Sequence, residues 1–78
     1  MGLKVIGMSE QLGSDSINQG SVVSVRGSVV DARFPQKLPF VHSLLRAGDD
    51  GETAIEVQTH LNAEVVRGIA LTPTQGLA

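Results

Sequence analysis

Apolar and polar residues alternate along most of this chain, and the longest alternating run is Gly20 to Pro35, GSVVSVRGSVVDARFP. Alternation with period 2 is the mark of a half-buried strand, because successive side chains leave opposite faces. Before Gly27 the apolar positions are odd, Val23 and Val25. After it they are even: Val30, Ala32 and Phe34. A change of parity moves the apolar set to the other face unless the chain bends or gains a residue. Glycine within a strand often marks such a bend. The pattern therefore predicts one long ribbon from Ile17 to Phe34, bent at Gly27, as a strand bends at the corner of a small barrel. Phe34-Pro35 ends it, since proline cannot donate to a ladder.

The rest of the chain repeats the theme in shorter pieces. Pro35 and Pro39 bracket a loop. FVHSLLR, Phe40 to Arg46, reads either as a helical turn or as a turn leading into a short strand. Ala47 to Gly51, AGDDG, is a turn. Thr53 to Leu61, TAIEVQTHL, predicts a strand with Ile55, Val57 and Leu61 on one face and Glu56, Gln58 and His60 on the other. Leu61 to Glu64 is short enough for a hairpin connection. Val65 to Leu71, VVRGIAL, predicts the returning strand, with Val65, Ile69 and Leu71 on one face and Val66 and Ala70 on the other. In residues 1–16, Leu3, Val5, Ile6 and Met8 could make a short strand, but Gly2, Gly7 and Gly13 dilute it, and Gly13-Ser14-Asp15-Ser16 reads as a linker. A flexible N-terminal tail over 1–16 and a single β-barrel domain over 17–78 are expected. Short strands with turn-rich connections make the fold class all-β, a small barrel or sandwich.

Composition narrows the function classes. With 78 residues the chain is at most one domain, and its fold is marginal in size. It has no cysteine, which excludes disulfides and thiolate metal sites. Net charge is −2 and the six basic residues are scattered, so no basic patch for nucleic acid or an anionic membrane is present. Two Phe and no Trp or Tyr leave no base-stacking platform. No apolar run reaches the roughly 20 residues needed to cross a bilayer.

Candidate chemistry is sparse. No glycine is followed by lysine, so the phosphate-binding loop signature is missing. His60 shares a polar face with Glu56, but a metal site there needs a third ligand; a solvated surface histidine is the simpler reading. His42 sits in an apolar context and is expected to be partly buried and hydrogen-bonded. Asp31 is expected to point outward and to pair with Arg33 or Arg26 across a strand. Arg67 lies between Val65 and Ile69 on an apolar face. Its stem can pack while its head reaches water. It is the candidate subunit-interface residue, meeting a carboxylate on a neighbour. An internal ion pair and a solvated rim position are the competing readings.

The blocks GSVVSVRGSVVDARFP, LPFVHSLL, IEVQTHL and VRGIALTPTQGLA, in that order and spacing, resemble the N-terminal β-barrel domain of the catalytic beta subunit of rotary ATP synthases. The resemblance covers about residues 17–78. SVRGSVVDARFP, SLLRAG and RGIALTPTQGLA are similar to the alternative, sodium-type bacterial branch. The resemblance implies a six-stranded barrel that joins alternating alpha and beta subunits into a crown. The parent complex would make ATP from ADP and phosphate with a transmembrane ion gradient, or run in reverse, at the cytoplasmic face of the bacterial inner membrane. ATP, ADP and magnesium would bind in a following domain, so no catalytic, cofactor or metal residue is carried over to this chain. The fragment is expected to be no enzyme, to partner alpha subunits in the hexamer, and to meet neither nucleic acid nor the membrane interior. The family pattern continues past GLA into a final strand, so a closed or partly open barrel of five to six strands, short of its last, is expected.

Two other readings remain at this point. One is a free-standing binding module of the oligonucleotide-binding or SH3-like kind, which would need the basic groove and aromatics absent here. The other is the equivalent barrel of a related rotary or secretion ATPase.

Overall fold

The computed structural model describes residues 4–7, 18–48 and 51–74. All its regular structure is β: β1 (Lys4–Gly7), β2 (Asn18–Arg26), β3 (Val29–Arg33), β4 (Leu44–Ala47), β5 (Thr53–His60) and β6 (Val65–Ala70). Every neighbouring pair is antiparallel, and the strands close into a ring in the order β1-β2-β3-β6-β5-β4. The all-β barrel expected from the alternation is therefore present.

Closure comes from a segment expected to be part of a tail. Lys4–Gly7 pairs with β2 through Lys4↔Ser21 to Gly7↔Asn18, and with β4 through Val5↔Ala47 to Gly7↔Leu45. A short strand is one reading of these residues, but four of them, with glycine nearby, are too few for local preference alone to fix it. Two partner edges fix them instead. Of the closed and partly open alternatives, the closed ring is the one present, with six strands, and no edge of β2 or β4 is left for another chain to pair with. The other residues of the expected tail lie outside the described ones.

The bent ribbon is a hairpin. Arg26 pairs with Val29, leaving Gly27-Ser28 as a two-residue loop. Gly27 has φ +59° while Ser28 keeps negative φ, the pattern of a II′ turn, whose twist matches that of the strands it joins. Opposed residues here carry one odd and one even number, as in Val25↔Val30, so the parity change reports a fold-back and not a kink. A bulge between Val22 and Ser24 adds a second shift. It sends Val23 out to 53% exposure, while Val22 is buried and Val25 packs against the core.

The interior is filled by Val22, Val30, Ala32, Phe34, Leu45, Ala47, Ile55, Val57, Val66 and Ala70. A narrow ring can hold only small or branched side chains, and each buried Val, Leu, Ile or Phe contributes roughly 1.5–3 kcal/mol. Phe34, wholly buried, plugs the end where the β3–β4 connection crosses, and its N–H donates to the Glu64 carbonyl at 2.6 Å. FVHSLLR resolves as a turn at Val41-His42 followed by β4. Leu61, expected on the face of Ile55 and Val57, is 43% exposed, and Leu71 is 58% exposed. β5 ends at His60 after a second bulge between Val57 and Thr59, and β6 ends at Ala70. On β6 the inward set is Val66, Gly68 and Ala70, while Val65, Arg67 and Ile69 face outward, half-buried.

Candidate functional site

The functional side chains expected from the sequence are dispersed over the outside of the ring. Among the described residues no three His, Cys, Asp or Glu groups converge as a metal centre would require. His60 is exposed, as expected, and its Nε2 lies 2.7 Å from the Pro39 carbonyl oxygen, to which it donates. His42 is not partly buried. Its side chain is 75% exposed, with Nδ1 at 3.2 Å from Glu56 Oε2. The reason is backbone: His42 has φ 75°, a left-handed turn conformation, while its N–H donates to the Val57 carbonyl at 2.7 Å. Both histidines thus tie the β3–β4 connection to β5. Asp49 and Asp50 lie outside the described residues.

The outer face of β3 and β6 carries the strongest electrostatic feature. Asp31 and Arg67 are directly opposed in the ladder. Arg67 Nε and Nη2 donate to the two carboxylate oxygens of Asp31 at 2.8 and 3.0 Å, a fork-on-fork pair. Asp31 pairs here and not with Arg33 or Arg26, because both of those are removed from the β3–β6 rung. Arg33 bonds Glu64 at 2.8 Å instead. The Asp31 side chain is only 10% exposed against 37% for Arg67. The hydrogen bond from Arg67 outweighs burial and holds the Asp31 carboxyl below the usual carboxylate range, with smaller help from the Arg26 charge. Asp31 in turn raises Arg67 further above its ordinary value. An internal ion pair, one of the three readings of Arg67, is present. The sequence could not supply it, because the partners are 36 residues apart and meet only once β3 lies beside β6.

Around this pair the surface is aliphatic. Val65 and Ile69 flank Arg67 along β6, and Val29 faces Ile69 across the ladder, all half-buried and outward. The neighbouring outward positions of β5, Glu56 and Thr59, are polar.

The sequence of this closed ring matches a family model over residues 22–78: the ATP synthase alpha/beta family, beta-barrel domain. The chain belongs to that family. The matched span takes in the second half of β2, from Val22, and every later strand, while β1 lies ahead of it. Relatives to which this alpha/beta family barrel is similar include ATP synthase subunit beta 2 of Syntrophotalea carbinolica, 59% identical over 59 residues. ATP synthase subunit beta 2 of Albidiferax ferrireducens is 60% identical over 62 residues, and ATP synthase subunit beta 1 of Psychromonas ingrahamii 62% over 61. These alignments cover 76%, 80% and 78% of this chain but 12% of each relative, so the chain spans about an eighth of their length. No solved structure matches. The relatives carry the name of the beta subunit, as the four sequence blocks implied.

Proposed function

We propose that this chain is the assembly barrel of an ATP synthase beta subunit, which joins neighbouring alpha-subunit barrels in an alternating crown. The observation that carries the reading is the closed six-strand ring, whose core is apolar and filled while its outward β3–β6 face combines aliphatic residues with a fixed arginine. A packed interior offers a partner only its outside. Arginine is enriched at protein interfaces, and the buried centre of an interface is more apolar than the rest of the surface. The sequence kinship to beta subunits supports the same partner.

In this reading the barrel itself performs no chemistry. The parent subunit binds ATP or ADP with magnesium in another domain and makes ATP on a transmembrane ion gradient, or hydrolyses it in reverse. It works as a peripheral component at the cytoplasmic face of the bacterial inner membrane. Arg67 belongs to the surface that meets the neighbouring subunit. No helix among the described residues is long and apolar enough to cross a membrane.

Deleting the barrel from the full-length beta subunit and mixing the remainder with alpha subunits tests the assembly role. Hexamers should fail to form in sedimentation velocity. Hexamers formed at normal concentrations would refute it. A titration of this chain with ATP and magnesium, followed by amide NMR shifts, tests the absence of chemistry, and saturable micromolar shifts would refute that part.

A further inference from the structure

The geometry points to the Arg67–Asp31 pair, with Arg26 beside it, as a preset socket for a carboxylate on the partner protein, seated between Val29, Val65 and Ile69. The inference rests on the assembly reading above and deepens it by naming the chemistry the partner must bring.

The guanidinium carries five N–H donors in a rigid fork. Asp31 takes one edge, through Nε and Nη2. Among the described residues, all the hydrogen bonds of Arg67 go to Asp31, so the N–H groups of its other edge point away from that carboxylate. A free arginine has many rotamers to lose on binding. This one is already fixed by a two-bond pair to a nearly buried carboxylate, so less ordering entropy opposes a second acceptor. Asp31 is a positioning residue in this scheme.

Local charge near Arg67 favours an anion. On this face the ladder rows Arg26–Val29–Ile69–Glu56 and Ser24–Asp31–Arg67–Thr59 lie side by side. Their β2, β3 and β6 positions hold two guanidiniums against the Asp31 carboxylate. The second carboxylate, Glu56, stands at the β5 end of its row, with Oε2 3.2 Å from His42 Nδ1. The other exposed arginine of β3, Arg33, is matched by Glu64. The positive groups at the socket are therefore Arg26 and Arg67. The half-buried Val29, Val65 and Ile69 around them would exclude water from a seated carboxylate, which strengthens a charged hydrogen bond. A partner that fits brings one Asp or Glu, framed by aliphatic side chains.

The test uses the full-length beta subunit and its alpha subunits, with assembly measured against concentration by sedimentation velocity. Two variants are compared with the parent: Arg26→Glu, which reverses an exposed charge that makes no ion pair among the described residues, and the double change Asp31→Asn with Arg67→Gln, which keeps a neutral hydrogen-bonded pair. Each should raise the concentration for half-assembly by about tenfold. The melting temperature of the unassembled subunit serves as the fold control and should be retained by Arg26→Glu. If both variants assemble as the parent does while the barrel-deleted subunit fails, the socket is wrong and the assembly reading stands. If the barrel-deleted subunit also assembles, the underlying reading falls instead. If the variants abolish self-association of the beta subunit and leave alpha pairing intact, the occupant is a second copy, and the proposed partner is overturned.

Discussion

Gly68→Ala should destabilise the barrel by about 2 kcal/mol, although alanine is ordinarily the better strand residue. Gly68 faces the interior at the middle of β6, opposite Val30 on one side and Val57 on the other. A Cβ there would lie 2.6 Å from Ile55 Cγ2, 2.7 Å from the Glu56 carbonyl oxygen and 3.3 Å from its carbon. Neither neighbour can yield cheaply. Ile55 is 1% exposed and packed into the core, and the Glu56 carbonyl belongs to the β5 backbone. Overpacking of this kind costs roughly 1–3 kcal/mol, while the lost freedom of the unfolded chain returns only about 0.4–1. For a domain of this size each kcal/mol moves the melting temperature by roughly 4–8 °C, so a fall of about 8–16 °C is expected. Far-ultraviolet circular dichroism of the 78-residue chain during heating measures it. A variant melting at or above the parent would show that β5 and β6 have slack between them, and the argument that glycine sets the width of the ring would fail.

Gly27→Ala should also destabilise, by about 1–2 kcal/mol, but for a different reason: a Cβ there meets nothing within 4 Å, and the cost is the φ of +59° alone. Gly27→Asn, which tolerates that φ, should recover part of the loss in the same melting experiment. Phe34→Ala empties the plugged end of the barrel and should cost about 3–5 kcal/mol, enough to shift the urea midpoint towards zero in so small a domain. The Asp31 carboxyl titrates lower in the folded chain than in the unfolded one, so its contribution is complete at neutral pH and is lost as pH falls below about 4. Urea midpoints measured from pH 7 to pH 2 should show this acid loss shrinking in Asp31→Asn; an identical acid limb in both proteins would count against the pair. Glu64→Gln should move the midpoint by less than about 1 kcal/mol, since both partners of the Arg33–Glu64 pair are about half exposed.

The local grammar of this fold was legible in the order of residues. Alternation at Val30, Ala32 and Phe34, and again at Ile55 and Val57, marked strands with one apolar face, and all five of those residues are core. Turn chemistry marked the Gly48–Gly51 and Leu61–Glu64 reversals, because a tight turn needs particular backbone angles that few residues adopt. Those signals act within a few residues and survive in any fold. Everything that depends on which strands become neighbours was settled by the assembled barrel. Lys4–Gly7 became a strand because β2 and β4 each offered an open edge. The odd-to-even switch at Gly27 became a hairpin because β3 folded back on β2, and the bulges at Val23 and Gln58 chose which residues left the core. Asp31 found Arg67 through the β3–β6 rung. Strand pairing is a long-range choice: hydrogen bonds between backbones are alike for every sequence, so the partner is selected by how the whole ring packs, and no local pattern records it.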